Sequence, residues 1–469
     1  MTNNLPENWT KSTLEEVSTI IMGQSPLSEY YNTEGDGLPF FQGKAEFGDF
    51  YPEAVKWCSK PGKIAGKDDI LISVRAPVGP TNLAPSECCI GRGLAAIRPN
   101  GDIPNKYLLY YLRSIENEID SYGTGTTFRA ISGKILKSLS VPIAPLEQQK
   151  RIVAEIEKQF SRLDEAVANL RRVKANLKRY KAAVLKAAVE GKLTEEWRKQ
   201  HPDVEPASKL LERILAERRQ KWEEAELAKM KAKGKAPEDD KWKNKYKEPE
   251  CFGYVDFTIP KSWMVATVQQ LAERVQYGSS SKTKEDTDGI PVLRMGNIFE
   301  GELSLEKLKY LPQKHNEFPE LFLKDDDLLF NRTNSPELVG KTAVYKGKPS
   351  PCSFASYLIR VQLMPGVEAK FLSYYINSMH GRQWVKSVVT QQVGQANVNG
   401  TKLQALIIPV PPAMEQKTIV SEMENRFSLM NGMEVAVETN MLRAERLRQS
   451  ILSKAFTGQL IELIALGEE

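Results

Sequence analysis

The sequence predicts an α+β protein that contains an internal duplication, with two globular parts and two long helices. The segment Leu5–Trp9 returns as Ile259–Trp263, and the segment Pro142–Val153 returns as Pro409–Val420. In each copy, a part with short apolar runs, glycines, prolines and aromatic residues precedes a part in which apolar residues recur every seven positions. Such a duplication is expected to give two similar folded units with two sites for one kind of partner.

The length and the composition bound the architecture. With 469 residues the chain is too long for one core, and its 41% hydrophobic and 27% charged residues are ordinary for a globular protein. Changes of pattern along the chain divide it into predicted segments. They are residues 1–145 and 259–412 (the globular parts), 146–193 and 413–460 (the long helices), 194–258 (a charged helix and a linker) and 461–469 (a tail).

The sequence favours a cytoplasmic protein without a membrane segment or a thiolate metal site. It has no run of about 18 apolar residues, which a membrane-spanning helix would need. Its first residues lack the basic and apolar stretches of a secretory signal. Its five cysteines form no CxxC pair and suit a reducing compartment; they are Cys58, Cys88, Cys89, Cys251 and Cys352. The net charge of +5 permits nucleic-acid binding without requiring it.

The globular parts carry matching strand and helix patterns. Ile70–Val74 and Asp327–Phe330 are short apolar runs typical of buried strands. Lys106–Leu112 and Lys370–Ile376 have the spacing of one amphipathic helix that occurs twice. Each globular part is therefore predicted to mix strands and helices, with many loops between them.

Each long helix is predicted from a seven-residue apolar repeat, the pattern of a coiled-coil seam. The seam residues are Ile156, Leu163, Leu170, Leu177 and Val184 in the first helix and Met423, Met430, Val437, Ala444 and Ile451 in the second. A companion row in the first helix consists of Ala166, Val173, Tyr180 and Ala187. A proline precedes each helix, and a glycine, Gly191 or Gly458, follows it. Since an apolar stripe needs a partner, we expect the two helices to pack on each other, and the spacing leaves parallel and antiparallel arrangements open.

The segment between the copies begins with a charged helical pattern at Ala207–Lys233 and continues as a linker rich in lysine and proline. A solvated helix with a tether explains this pattern most simply. A docking surface for a partner subunit is the alternative.

No complete catalytic motif is present in the sequence. The three histidines, His201, His315 and His380, have no HExxH spacing and are interpreted as surface or structural residues. Gly340–Thr342 resembles the end of a phosphate-binding loop, but Ser335 occupies the position of its first glycine. The Asn-Pro-Pro-aromatic signature of amino-methylating enzymes is also missing. We therefore expect no catalytic residue and no metal ligand in this chain.

Aspartates precede a buried strand in both copies, as Asp68-Asp69 and as Asp325-Asp326-Asp327. They are explained most simply as polar turns that lead into the strands. Metal-binding carboxylates of an unrecognised nuclease are the alternative.

Polar segments rich in glycine occupy matching positions in the two copies but differ in sequence. Arginine, lysine, glutamine and asparagine side chains can read base edges, while serine, threonine and backbone amides bind phosphate. A repeated frame with two different polar surfaces suits recognition of two different half-sequences of DNA. The candidate DNA-binding residues are Gln24, Ser25, Arg75, Arg92, Thr124, Thr126, Arg129, Ser280, Lys282, Arg294, Asn297, Arg332, Asn334, Gln391, Gln395 and Asn397.

The arrangement resembles the specificity subunit of type I restriction–modification enzymes. The matching pieces are the segments that end in Trp9 and Trp263, the segments Ile143–Val153 and Val410–Val420, the helix ends Gly191–Thr194 and Phe456–Leu460, and the segment Thr194–Arg198. They cover nearly the whole chain, and their duplicated order is more specific than any single piece.

The resemblance implies two target recognition domains joined by two antiparallel coiled-coil helices. Each domain would read one half of a split, asymmetric site in double-stranded DNA, and the helices would set the gap between the halves. The chain itself would have no catalytic activity and no cofactor. Two modification subunits would use S-adenosylmethionine to methylate adenine N6, and two restriction subunits would use ATP and Mg²⁺ to translocate and cleave DNA.

A hypothesis from another class remains open, in which the chain is a coiled-coil scaffold whose repeated globular parts bind proteins. Binding to duplex DNA distinguishes the two, because phosphate contacts make the affinity fall steeply with salt concentration.

Overall fold

The protein consists of two compact units in the computed structural model, which describes residues 5–125, 129–234, 237, 239–285, 288–392 and 395–460. The first unit comprises Met1–Val173 and Ala436–Glu469, and the second comprises Lys174–Val435. The division falls within the two long helices, so each unit includes a stretch of both.

Helices occur in both units and in the segment between the copies. They are α1 (Leu14–Val17), α2 (Asn105–Ser114), α3 (Glu116–Ser121), α4 (Gly133–Lys137), α5 (Leu146–Val189), α6 (Glu195–Gln200), α7 (Ala207–Ala232), α8 (Val268–Leu271), α9 (Ala369–Asn377), α10 (Met379–Val388), α11 (Gly400–Gln404) and α12 (Ala413–Phe456). None of these helices, within the described ranges, is both long and apolar enough to cross a lipid bilayer.

The strands of the first unit are β1 (Thr10–Thr13), β2 (Ser18–Met22), β3 (Tyr31–Asn32), β4 (Leu38–Phe41), β5 (Trp57–Cys58), β6 (Ile64–Ala65), β7 (Ile70–Ser73), β8 (Thr81–Leu83), β9 (Cys88–Ile90), β10 (Leu94–Pro99) and β11 (Ser140–Ile143). A four-stranded antiparallel sheet has the order β2-β10-β7-β8, and β1 pairs with β11. A second sheet has the order β3-β5-β4-β9-β6, in which β4 and β9 are parallel.

The strands of the second unit are β12 (Met264–Thr267), β13 (Ala272–Tyr277), β14 (Ile290–Leu293), β15 (Ile298–Phe299), β16 (Glu302–Leu303), β17 (Lys309–Leu311), β18 (Leu328–Asn331), β19 (Thr333–Asn334), β20 (Thr342–Val344), β21 (Ser353–Phe354), β22 (Leu358–Leu363), β23 (Thr390–Gln392), β24 (Gln395–Asn397) and β25 (Ile407–Val410). The main sheet has the order β13-β22-β18-β20, β12 pairs with β25, and β14 is parallel to β21. The smaller sheets are β17-β14-β21, β15-β16 and β19-β24-β23.

The two units therefore share one topology, which confirms the predicted duplication and the α+β class. Strand β2 corresponds to β13, β10 to β22, β7 to β18 and β8 to β20, with the same antiparallel pairings. The predicted buried strands are β7 and β18, and all of their residues are buried.

The aspartates before these strands form matching turns, as the simpler explanation predicted. Asp68 and Asp326 both have a φ of 64°, in the left-handed region. The next residue closes the turn in each copy: Asp69 Oδ2 accepts a bond of 2.6 Å from the Gly66 amide, and Asp327 Oδ2 accepts one of 2.8 Å from the Lys324 amide. No group of histidine, cysteine, aspartate and glutamate side chains among the described residues could hold a metal ion.

The repeated helix after the main sheet is more deeply buried than the sequence indicated. In α2 every residue from Tyr107 to Leu112 is buried, and in α9 every residue from Ala369 to Ile376 is buried. An amphipathic helix was predicted, with one face in water. The second face is covered because α2 also packs on α12, where the rings of Tyr107 and Tyr111 contact Phe456 at 5.2 and 5.3 Å between centroids.

The long helices α5 and α12 have 44 residues each, or about 66 Å at 1.5 Å per residue. Within the first unit, Arg448 of α12 pairs with Asp164 of α5 and lies over the Phe160 ring. Within the second unit, Lys181 of α5 donates to Glu434 of α12 over 2.6 Å. Thr194, just past the end of α5, donates to Glu415 near the start of α12. As the chain advances along α5 its partners therefore move back along α12, so the helices are antiparallel in the second unit.

The predicted seam faces the interior, but the companion row does not. Leu163 and Leu170 are half-buried, and the other seam residues are buried, namely Ile156, Leu177, Val184, Met423, Met430, Val437, Ala444 and Ile451. In the companion row Ala187 is half-buried, but Ala166, Val173 and Tyr180 are exposed, so the assignment was wrong for these three. Only a narrow stripe along each long helix is buried. That the two helices form a supercoiled coiled coil stays a prediction.

The charged helix α7 is not simply solvated, which corrects the interpretation as a helix with a tether. Its residues Leu210 and Ile214 are buried in the core of the second unit. Farther along, Trp222 stacks on Trp242 of the following segment at 6.0 Å between ring centroids. These apolar residues of α7 therefore serve packing, and the half-buried Arg218 adds a hydrogen bond to the Ala272 carbonyl.

Candidate nucleic-acid interface

The motifs shared by the two copies form an internal frame for the candidate interface. Trp9 Nε1 donates to Gln148 Oε1 over 2.9 Å in the first unit, and Trp263 Nε1 donates to Glu415 Oε2 over 2.9 Å in the second. In each unit this hydrogen bond connects the start of the globular part to the first turn of the long helix that follows that globular part. The repeated tryptophan is therefore explained by its structural role in this frame.

The glycine at the end of each long helix closes the same frame. Gly191 and Gly458 have φ values of 75° and 82°, in the left-handed region that favours glycine. A Cβ on Gly191 would lie 2.5 Å from Pro260 Cγ, and a Cβ on Gly458 would lie 2.3 Å from Pro6 Cγ. In each unit, therefore, the end of one long helix and the start of the other meet at the proline–tryptophan segment.

The frame carries a buried charge in the second unit only. The Glu415 carboxylate is fully buried, and Oε1 accepts hydrogen bonds from Thr194 Oγ1 over 2.7 Å and from Arg198. With the bond from Trp263, it joins three donors in one network. The equivalent residue of the first unit is neutral, Gln148.

A second charged contact ties the end of α5 to the second unit. Glu190 is buried, and its carboxylate contacts His380 Nε2 at 2.9 Å and Lys192 Nζ at 2.6 Å. Burial acts to raise the pKa of Glu190, but hydrogen bonds from Lys192 and His380, with the charge of Lys186, lower it below its ordinary value. Glu190 therefore stays ionised and stabilises this junction at neutral pH.

In the first unit, three of the candidate DNA-binding residues surround one concave surface. Ser25, Arg75 and Arg92 line a cavity of about 210 Å³ whose wall also includes Gln42 and Lys44. Both arginine side chains are exposed. The loops after β2, β4, β7 and β9 bring these residues together, although they lie up to 67 positions apart in the chain.

The other candidates of the first unit lie near this cavity or are tied to the protein. Gln24 is exposed beside Ser25. Thr124 and Arg75 each form a backbone bridge with Ala130, so their loops are adjacent. Arg129 is also exposed, but Asp120 accepts its Nη1 proton over 2.8 Å. Thr126 lies outside the described residues.

In the second unit, a small three-stranded sheet gathers candidates that are far apart in sequence. Its order is β19-β24-β23, in which Asn334 is opposite Ala396 and Gln391 is opposite the same residue. Asn397 Nδ2 donates to Thr333 Oγ1 over 3.0 Å. Gln391 and Gln395 lie on β23 and β24, while their side chains are outside what is described.

The remaining candidates of the second unit lie outside the strands of this small sheet. Arg332, directly before β19, places its guanidinium 4.8 Å from the centre of the Tyr277 ring, so it is only partly exposed. Ser280 and Lys282 are exposed on the loop after β13. Arg294 is half-buried and donates from Nη2 to the Lys307 carbonyl over 3.1 Å.

Asn297 is the one candidate whose surroundings argue against DNA contact. Its side chain is 3% exposed, and Nδ2 donates to the carbonyls of Ser304 and Glu306 over 2.9 and 3.1 Å. Its Oδ1 accepts the Arg294 amide over 3.0 Å. The amide group is used inside a turn, so we remove Asn297 from the candidates. The others stay predictions.

The structure places His315, which the sequence indicated as a surface or structural residue, against the loop that carries Ser280 and Lys282. His315 Nε2 lies 3.0 Å from Ser281 Oγ, and His315 Nδ1 lies 3.4 Å from the Glu317 carboxylate. This contact orients the loop. No local pattern could have indicated it, because the serine and the histidine are 34 positions apart.

Comparison with known proteins agrees with the duplicated frame. The model of the type I restriction modification DNA specificity domain matches residues 6–179 and again residues 260–438. The chain belongs to this family. Relatives in it are specificity subunits of type I restriction–modification systems, which are non-catalytic, and catalysis lies in other subunits.

Individual relatives cover different shares of the chain. The EcoKI specificity subunit of Escherichia coli is 26% identical over 477 residues, which are 97% of this chain and 90% of that one. A specificity subunit of Methanocaldococcus jannaschii named MjaX is 44% identical over 192 residues, 40% of this chain and 44% of that one. The crystal structure of the HsdS subunit from Thermoanaerobacter tengcongensis is 50% identical, with a TM-score of 0.32, and the match covers 35% of this chain and 41% of that chain.

Proposed function

We propose that this chain selects a two-part, asymmetric site in double-stranded DNA, with one half read by each globular part. The observation that supports this most is the contrast between frame and surface. The frame repeats from one unit to the other, while the polar segments on it differ: Arg75 and Arg92 line a cavity in the first unit, and Asn334 and Asn397 lie on a small sheet in the second. Unequal surfaces on equal frames suit two unequal half-sequences.

The long helices are proposed to set the number of unread base pairs between the two halves. Faces of the duplex repeat about every 34–36 Å, and each residue added to a helix shifts its end by about 1.5 Å and turns it by roughly 100°. An insertion into α5 and a matching insertion into α12 should therefore change the permitted gap length. A heptad insertion keeps the buried seam in register and is the appropriate change to make.

The chemistry is proposed to come from partner subunits in the cytoplasm. Two modification subunits would methylate adenine N6 with S-adenosylmethionine, and two restriction subunits would use ATP and Mg²⁺ for translocation and cleavage. This chain would contribute the choice of sequence and a platform for assembly, without a cofactor of its own.

The decisive experiment maps methylated adenines across a genome with and without this chain, in cells that supply the modification subunit. We expect a split motif that disappears when the chain is deleted. Exchange of residues 1–145 for the corresponding part of another family member should then alter one half of the motif and leave the other half unchanged. A change in both halves, or a motif that persists after deletion, would contradict the proposal.

The scaffold hypothesis predicts a different result in a binding assay. If the globular parts bind only proteins, the assembled complex has no affinity for duplex DNA even at low salt. For a DNA reader, log K falls linearly with log salt concentration, with a slope of about 0.9 per phosphate contact. Titration of labelled duplex at several salt concentrations therefore separates the two functions.

A further inference from the structure

We propose that Arg75 and Arg92 each read the edge of a guanine in the half-site that the first unit recognises. This inference rests on the proposed function and adds the identity of a base. Guanine presents two acceptors, O6 and N7, in the major groove, and an arginine that donates to both is the commonest specific contact with a base. Each of the two arginines on this concave surface can supply that pair of donors to one guanine.

The other arginines of the first globular part are already engaged. Arg98 pairs with Asp69 at 2.8 Å, and Arg129 pairs with Asp120 at 2.8 Å. Arg113 donates from Nη2 to the Asp49 carbonyl over 2.7 Å. Arg75 and Arg92, by contrast, make no side-chain hydrogen bond or ion pair with any part of the chain that the structure describes. Both side chains are exposed.

The backbone holds both arginines in place, although their side chains are unpaired. Ser73 Oγ donates to the Arg75 carbonyl over 2.9 Å, and Arg75 forms a bridge with Ala130. The Arg92 amide donates to Ser25 Oγ over 3.2 Å. The next residue, Gly93, packs so closely that a Cβ there would lie 2.2 Å from the carbonyl oxygen of a neighbouring loop. A fixed backbone reduces the entropy that each arginine loses on binding.

The cavity between the two arginines suits a ligand with acceptor atoms. No carboxylate lines it, while Lys44 adds a third positive charge and Ser25 and Gln42 add neutral hydrogen-bonding groups. A carboxylate there would repel the O6 and N7 edge of guanine or occupy the arginine donors. The charge of this surface is thus complementary to an electronegative base edge.

The comparison of the two units favours a base over a phosphate. The Val74 amide donates to the Gly93 carbonyl, and the Arg332 amide donates to the Tyr357 carbonyl at the matching place in the second unit. This repeated bond shows which residues of the two units are equivalent. By this alignment Arg75 corresponds to Thr333, and Arg92 corresponds to Ser356. Phosphates are the same in both half-sites, so phosphate-binding residues should repeat with the frame. These two arginines are replaced by neutral residues, as expected for groups that read different bases.

The test uses the full chain assembled with its methyltransferase subunits and a library of duplexes with randomised half-sites. Methylated products are sequenced for the wild type and for R75A, R92A and R75K, with K11A as the control. Lys11 is an exposed cation on β1 of the same unit and does not line the cavity. Thermal unfolding of every variant checks that the exposed substitutions leave the fold intact.

We expect each alanine variant to lose guanine preference at one position of one half-site, by roughly 5- to 150-fold, while the other half-site is unchanged. R75K should also lose preference, because lysine keeps the charge but cannot donate in the bidentate geometry. Replacement of that guanine by 7-deazaguanine, which lacks the N7 acceptor, should weaken binding by the wild type and have a smaller effect on the variant that has lost the contact. K11A should retain the wild-type motif.

Two results would overturn the inference while leaving the proposed function intact. One is an unchanged motif in both alanine variants. The other is an equal loss of affinity for all sequences, a salt slope reduced by about 0.9 per variant and recovery in R75K, which together indicate phosphate contacts. If the wild type itself directs no sequence-selective methylation, the proposed function fails, and the inference fails with it.

Discussion

The buried carboxylate of Glu415 offers the sharpest test of the frame that holds the second unit on the long helices. It accepts hydrogen bonds from Trp263, Thr194 and Arg198. We expect Glu415→Gln to destabilise the second unit substantially. A glutamine has one acceptor oxygen, so it cannot satisfy the indole on one side and the hydroxyl and guanidinium on the other.

The magnitude follows from the groups that lose a partner. One buried donor without an acceptor costs about 1–3 kcal/mol, and the loss of a charged partner by an arginine adds to it. Removal of one member of a fully buried ion pair costs about 3–5 kcal/mol. The Arg198 side chain is 20% exposed and can recover part of its hydration. We therefore expect a loss of about 2–4 kcal/mol, a large share of the stability of a typical domain.

The first unit provides a matched control, because Gln148 occupies the equivalent position and accepts a hydrogen bond from Trp9. Gln148 is half-buried, and a glutamate in its place keeps an acceptor for the indole. We therefore expect Gln148→Glu to cost less stability than Glu415→Gln. Hydrogen exchange measured by mass spectrometry can follow the two units separately in the full chain. In E415Q, protection should fall around Trp263 and the start of α12 and stay unchanged around Trp9.

A double-mutant cycle with Arg198→Ala completes the test. If the guanidinium and the carboxylate interact as described, the two substitutions should be non-additive by at least about 1 kcal/mol. A loss below about 0.5 kcal/mol in E415Q, or full additivity in the cycle, would show that the buried network contributes nothing specific to stability.

Other substitutions test the helix seam, the helix end and the pH dependence. Leu177→Asp places an unpaired carboxylate in the buried seam and should cost about 3 kcal/mol or more of stability, measured by urea unfolding. Leu170→Asp, at a half-buried position, should cost less. Equal losses of stability would contradict the burial pattern. Gly191→Ala should lower stability by about 1–3 kcal/mol, because Gly191 has a positive φ and a close neighbour. Gly432→Ala lies in a helix interior with open space around it and should raise stability by up to about 1 kcal/mol. The two variants should therefore shift Tm in opposite directions. Glu190→Gln should destabilise the second unit at neutral pH but not in acid. The folded-state pKa of this carboxyl is lowered, so its contribution to stability is present above the unfolded-state pKa and disappears as the pH falls through the folded-state pKa. A difference in stability between the variant and the wild type that is constant with pH would refute this.

The frame could be predicted from the sequence because its residues repeat in order and serve the same packing in both copies. The aspartate turns before β7 and β18 are an example, since Asp69 and Asp327 each accept a nearby backbone amide within three residues. The long helices could be located by their heptad pattern, which is also a local property. The pattern did not indicate their relative direction, because a heptad seam is compatible with both a parallel and an antiparallel pair of helices.

The errors concern features that depend on tertiary contacts. The exposed companion row, with Val173 and Tyr180, shows that an apolar spacing does not determine how wide the contact between two helices becomes. Leu210 of α7 was missed as a core residue because the helix around it is mostly charged. Asn297 was misassigned because its side-chain chemistry suits both a base edge and a tight turn, and only the fold decides between them.

The division between frame and reading surface has a physical consequence for how specificity can change. Trp263 and Glu415 are buried and mutually satisfied, so substitutions there alter stability first. Arg75 and Arg92 are exposed and make no side-chain bond within the described chain, so their replacement removes no internal contact. Surface substitutions of that kind usually change stability by less than about 0.5 kcal/mol. If Arg75 and Arg92 read bases as proposed, the bases that the chain selects can therefore change while its fold and its helix pairing stay the same.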